Sequence, residues 1–205
     1  FTTQVGASVF IPTISYYILK KSIDTYTLEG GSVSDDVEEV ITKWLLDEGF
    51  EVKRITTGLP IESSWGLDVR TPPPTRIGFR VFKPKAKPDR TILTLGVAIA
   101  KEHLSELNKM RREDRFRFIS RLVLELLKVC NTCNILVEPS PIDPRGITIT
   151  LILIDDYIRK SGRQEFLNNV YKLLNTYVAI ISYFNEAFPH IPTSKLRGED
   201  TVRIM

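Results

Sequence analysis

The 205-residue sequence predicts an α+β domain, a mainly antiparallel sheet with helices packed on one face in the order α-β-β-β-α-β-β-α. Three observations lead there. Between about residue 50 and residue 100, short segments rich in branched and aromatic residues follow one another at hairpin-length spacing. Pro and Gly punctuate those connections. Stretches of helical periodicity flank the strands, and runs of strands between helices indicate an antiparallel sheet with its helices segregated to one side.

Composition bounds the class before any motif does. Apolar residues make up 42% and charged residues 26%, ordinary globular usage for a chain long enough to build one core. The formal charge of +3 is small, so any electrostatic argument has to come from clustering. No run of about 18 uncharged apolar residues occurs, and no membrane span is expected. Two cysteines make no disulfide framework, and a cytoplasmic location is the default expectation.

Taken in order, residues 1–33 read as an extended N-terminal arm or edge hairpin, with an amphipathic helix as the rival reading. Val9, Phe10, Ile11, Ile14, Tyr16 and Tyr17 give it β character before Gly30-Gly31 breaks it. The domain proper is expected over 34–188. Ser34 is placed to cap a helix whose first turn is acidic, and Val37, Val40, Ile41, Trp44 and Leu45 then recur at helical spacing up to Gly49.

Strands are expected at Glu51 to Ile55, Ser63 to Arg70, Arg76 to Phe82 and Thr91 to Ala100, three or four in number. The last is so continuously apolar that it reads as a central strand buried on both faces. Lys101 to Met110 predicts a short helix and Arg112 to Val129 a longer one. Asn134 to Glu138 and Gly146 to Ile154 follow as strands. From about Asp155 to Phe188 the pattern is helical, interrupted near Ser161-Gly162 and stopped by Pro189. Residues 189–205 form the expected C-terminal tail.

That order resembles the type III secretion chaperone-like fold, and in particular uncharacterised archaeal families of that architecture. The residues that carry the resemblance are Ile41-Thr42-Lys43-Trp44-Leu45-Leu46-Asp47-Glu48-Gly49-Phe50-Glu51-Val52 and Ser64-Trp65-Gly66-Leu67-Asp68-Val69, and it spans 34 to 188. It implies a two-layer domain that dimerises and holds extended peptides of a client. No catalytic residues come with it.

Four features are candidates for function. Cys130 and Cys133 form a C-x-x-C pair, but a zinc site needs four ligands and the histidines, His103 and His190, lie far off in sequence. A redox pair would open a helix, whereas this one closes one, so reduced and partly buried thiols are expected. Arg111, Arg112, Arg115, Arg117 and Arg121, with Lys109 and the interleaved Phe116 and Phe118, suit phosphate contact and base stacking. Glu106, Glu113, Asp114 and Glu125 can equally make that helix a solvated, charge-laced face.

A second basic patch, Lys83, Lys85, Lys87 and Arg90, reads as a hairpin tip that keeps the sheet soluble. The final helix carries Phe166, Val170, Tyr171, Leu174, Tyr177, Ile181 and Phe184, an apolar surface wider than one core-facing stripe. It needs a second cover, either the arm or a twofold partner at a dimer interface.

Enzyme signatures are missing: no P-loop, dinucleotide fingerprint, metalloprotease helix or nucleophile elbow occurs. Asp155-Asp156 reads as a helix cap, and a metal-dependent site on Asp68, Asp155 and Asp156 has no supporting spacing. The sequence therefore leads to a non-catalytic protein-binding or chaperone-like module. It is expected to be a homodimer engaging a protein partner, with no cofactor. The alternative is an accessory nucleic-acid binder using the Arg-rich helix 111–128.

Overall fold

The computed structural model describes residues 36–59 and 61–191. The chain divides between Val33 and Ser34, and every described residue belongs to the second unit. The expected arm, 1–33, lies outside the described residues, as does the expected tail from 192 onward.

The elements are α1 (Val37–Asp47), β1 (Glu51–Arg54), β2 (Ser63–Arg70), β3 (Gly78–Pro84) and β4 (Arg90–Ala98). They continue with α2 (Lys101–Lys109), α3 (Arg112–Val129), β5 (Asn134–Ser140), β6 (Asp143–Ile154) and α4 (Asp155–Ala187). The first run holds four strands, and two helices follow it, so the order is α-β-β-β-β-α-α-β-β-α. All pairings are antiparallel, in the order β1-β2-β3-β4-β6-β5.

Local chemistry sets the boundaries. The α1 cap is Asp36 rather than Ser34: its carboxylate accepts from the Glu38 N–H, because the helix begins at Val37. Gly49, at φ 89°, closes α1 in the left-handed region, where a Cβ would be strained. In α4 the break at Ser161-Gly162 is real, since Gly162 sits at φ 73° and ψ −171° inside an otherwise helical run.

One face of the sheet makes the core. Strand registers bring Val69 opposite Phe79, Leu67 opposite Val81, Val81 opposite Leu93, Leu93 opposite Leu151 and Leu95 opposite Ile149, all nearly or fully buried. Strand β4 is central, between β3 and β6, yet it is not equally buried on both faces. Thr91, Leu93, Leu95 and Val97 are buried, while Ile92, Thr94, Gly96 and Ala98 are only partly covered. Ile92 and Ala98 make the run look continuous in sequence although they point away from the helices. On that outer face, Leu59 of the β1–β2 loop lies against Gly66, the register partner of the buried Phe82.

Helix α4 crosses the inner face. It packs on β4 and β6, with α1 against one flank and α3 against the other. Phe166, Val170, Leu173, Leu174, Ile180 and Phe184 are buried there, each large side chain contributing about 1.5–3 kcal/mol. The second cover anticipated for this helix is thus supplied within the domain by α1 and α3. At the α1 end, Glu48 accepts from the Tyr171 hydroxyl at 2.6 Å and from Arg163 at 3.0 Å, tying the two helices together. Burial and the Glu48 carboxylate raise the Tyr171 pKa well above its ordinary value.

Two polar groups are buried with specific consequences. Asp155 does not cap α4, where Ile154 is the N-cap; its carboxylate instead pairs with Lys83 of β3 and accepts from Thr91 of β4 at 2.8 Å. The Lys83 and Asp155 side chains are only 16% and 7% exposed. Lys83 therefore belongs to the interior and not to the basic hairpin tip, while Lys85 pairs with Glu62 at 2.6 Å on the surface. His103 of α2 is buried among Phe184 and Phe188, with ring centroids at 5.1 and 5.8 Å.

Replacing Lys83 by Met should cost about 3–5 kcal/mol in urea denaturation, because it strands a buried carboxylate, and the further change Asp155→Leu should recover much of it. A loss below about 1 kcal/mol for the single change would mean the pair is screened like a surface one. Burial also lowers the His103 pKa from its ordinary 6.5, with Glu102 opposing and His190 adding to the shift. The unfolded chain then takes up this proton more readily than the folded one, so the His103 contribution holds above 6.5 and is lost as pH falls through it. Melting temperature should fall less on acidification in His103→Leu than in the parent protein; parallel profiles would contradict this.

Candidate functional site

The Arg-rich helix α3 turns its residues to three sides. Ile119, Leu122 and Leu126 face the core. Arg115 also leans inward: its guanidinium donates to Asn108 Oδ1 at 3.1 Å, to the Ile142 carbonyl at 3.2 Å and to the Met110 carbonyl at 3.4 Å. Arg115 thus stitches the α2–α3 junction to the β5–β6 hairpin and is a structural residue, not a phosphate contact. Arg112 is exposed, one helical position from the flank that Arg111 and Arg117 occupy, and lines no groove with them.

The flank toward α4 gathers the rest of the cluster. Lys109, Arg111, Arg117 and Arg121 line an open groove of about 510 Å³ with Asp114, Phe118 and Tyr183. Within it Arg111 Nε lies 2.8 Å and Arg117 Nη1 3.8 Å from Asp114, and Lys109 pairs with Glu106 at 2.7 Å. The Arg111 bond holds the Asp114 carboxyl below the usual carboxylate range. Arg121 lies beside Tyr183, where the carboxylates of Glu125 and Glu186 also act. Tyr183 donates to the Phe118 carbonyl at 3.4 Å and its ring sits 5.1 Å from that of Phe118, so α4 supplies one aromatic wall. Burial raises the Tyr183 pKa, with the Arg121 charge pulling the other way.

The opposite flank of α3 is apolar. Phe116 is 47% and Leu127 37% exposed, with the exposed Leu124 next to them toward the outward side. Because α4 takes one side of α3 and α3 packs over β5, this flank faces the β5 margin of the sheet. Among the described residues β5 is an edge strand, and Leu136, 57% exposed, projects from its outer face.

The surface expected on α4 is largely absent. Phe166, Val170, Leu174 and Phe184 are core residues, and Tyr171, Tyr177 and Ile181 are partly covered. An interface made of them would require α1 or α3 to leave. Cys130 and Cys133 are joined as a disulfide, not present as the reduced thiols expected from sequence, and both are buried. The tight turn after α3 brings their Cα atoms to 5.3 Å, within bonding geometry. No group of three or more His, Cys, Asp or Glu among the described residues could hold a metal ion. No helix among them is long and apolar enough to cross a membrane.

Sequence reasoning missed the contribution of Tyr183 and the inward turn of Arg115. The i, i+4 spacing of Arg117 and Arg121 places those two on one flank, but the same spacing pairs Arg111 with Arg115, which the fold separates.

Comparison with known proteins agrees with this architecture. In the crystal structure of an uncharacterized protein from Methanothermobacter thermautotrophicus, 98% of that chain aligns with 74% of this one at a TM-score of 0.63 and 16% identity, a likeness of fold alone. No curated protein matches the chain. The family model described as uncharacterized conserved protein (DUF2299) matches residues 37–184, well over half of the sequence. The chain belongs to the DUF2299 family of uncharacterized conserved proteins.

Proposed function

We propose that the chain is a non-catalytic protein-binding module of the chaperone-like kind, which forms a homodimer and engages a protein partner. The observation that carries this reading is the apolar surface on both sides of a sheet edge: Phe116, Leu124 and Leu127 on the α3 flank, Leu136 on the outer face of β5. Exposed apolar residues gathered at one margin mark an interaction surface more often than scattered ones do.

A second copy is the occupant that best fits this edge. A strand can pair antiparallel with itself about a twofold axis, which makes the contact self-complementary and closed. Residues 134–138 contain no proline, so each retains the N–H that such pairing needs, and Pro139 and Pro141 lie at one end only. Two α3 flanks would then meet across the axis. The outer sheet face, with Ile152 and Ile154 exposed, is left for an extended segment of the partner protein.

This reading replaces the α4 interface expected from sequence, because that helix is already buried on its apolar sides. Light scattering at micromolar concentration should report a dimer. Phe116→Asp combined with Leu127→Asp should weaken it by on the order of 100-fold while leaving the far-ultraviolet circular dichroism of the folded chain unchanged. A parent protein that is monomeric, or a dimer that survives the double substitution, would sink the proposal.

A further inference from the structure

We propose that the groove between α3 and α4 binds the phosphate backbone of a short stretch of single-stranded nucleic acid, a ligand class distinct from the protein partner above. Four cations, Lys109, Arg111, Arg117 and Arg121, line one groove in which Asp114 is the carboxylate of the lining. Glu106 pairs with Lys109, and Glu125, itself paired with Lys128, and Glu186 lie near the Tyr183 wall. Arg111 and Arg117 both reach toward Asp114, so a single carboxylate holds two guanidiniums side by side. An anion entering the groove meets them already clustered, together with Arg121, which lies beside Tyr183 with the carboxylates of Glu125 and Glu186 nearby but in no ion pair with them. Guanidinium forks match phosphate oxygens bidentately, and the Tyr183 ring in the wall offers a face on which a base can stack.

The shape restricts the ligand. From Arg111 to Arg121 the groove runs about 15 Å along α3 at 1.5 Å per residue, enough for a short extended strand. Beyond Arg121 the outward side of α3 carries Leu124 and the Glu125–Lys128 pair at 2.8 Å, which adds no net positive charge, so the cationic stretch ends there and matches a short strand. An acidic peptide could satisfy the charges but would leave the aromatic wall without a role.

Anisotropy of a labelled oligothymidylate with the full chain tests this. Neutralising about three phosphates on a single strand predicts an affinity that falls roughly 20-fold between about 50 and about 200 mM salt. Arg117→Ala with Arg121→Ala should abolish most binding and flatten the salt dependence; the Arg117 side chain is 78% exposed, so the fold should survive. Asp114→Asn should tighten binding several-fold by releasing Arg111 and Arg117, a gain that no loss of folding can imitate. Absence of binding at low salt would overturn the proposal. So would binding indifferent to all three substitutions, or a polyglutamate peptide that outcompetes the oligonucleotide.

Discussion

Helix α4 lies across the middle of the sheet with its apolar side chains already enclosed, and the remaining architecture is arranged around that burial. Its Phe166, Val170, Leu173 and Leu174 pack into the core that β4 and β6 floor, while α1 and α3 close its two flanks. A helix enclosed on three sides can be apolar around most of its girth without needing another chain. That consequence moves the available surface to the margins of the domain, to the outward sides of α3 and to β5.

Polar contacts fix where this helix begins and how it sits. At its first residue, Asp155 is held by Lys83 and Thr91, which belong to neighbouring strands, so the β6–α4 junction is pinned to the sheet. Past the Gly162 break, Glu48 of the α1 end ties α4 through Arg163, the next residue, and Tyr171 further along. At the far end, His103 and Phe118 join Phe184 and Phe188 in an aromatic cluster that docks α2 and α3. The same cluster positions Tyr183 beside Arg121, so the groove is built by the packing that stabilises the core.

Elements with strong periodicity were legible in the sequence. The β2 and α3 boundaries follow directly from alternation over Ser63 to Arg70 and helical spacing over Arg112 to Val129, and Gly162 announced its own break. Contacts between distant residues were not. Lys83 and Asp155 are 72 residues apart, and nothing local distinguishes a buried lysine from one at a hairpin tip. The apolar run over β4 suggested two buried faces because composition does not say on which side the helices lie. In the basic cluster, residue type gave phosphate chemistry for all five arginines, but only the tertiary fold could send Arg115 to the Ile142 carbonyl and bring Tyr183 to Arg121.

The longest apolar helix of the domain is internal, and the exposed surfaces among the described residues include an edge strand, an apolar helix flank and a basic groove. The central claim is that α4 is core rather than interface, and native-state amide hydrogen exchange followed over a dilution series tests it most directly. The account predicts that amides from Phe166 to Phe184 exchange only through global unfolding, in step with those of the central strands at every protein concentration. Exchange of these amides that accelerates on dilution, while the sheet stays protected, would show that a partner chain covers α4 and would contradict it.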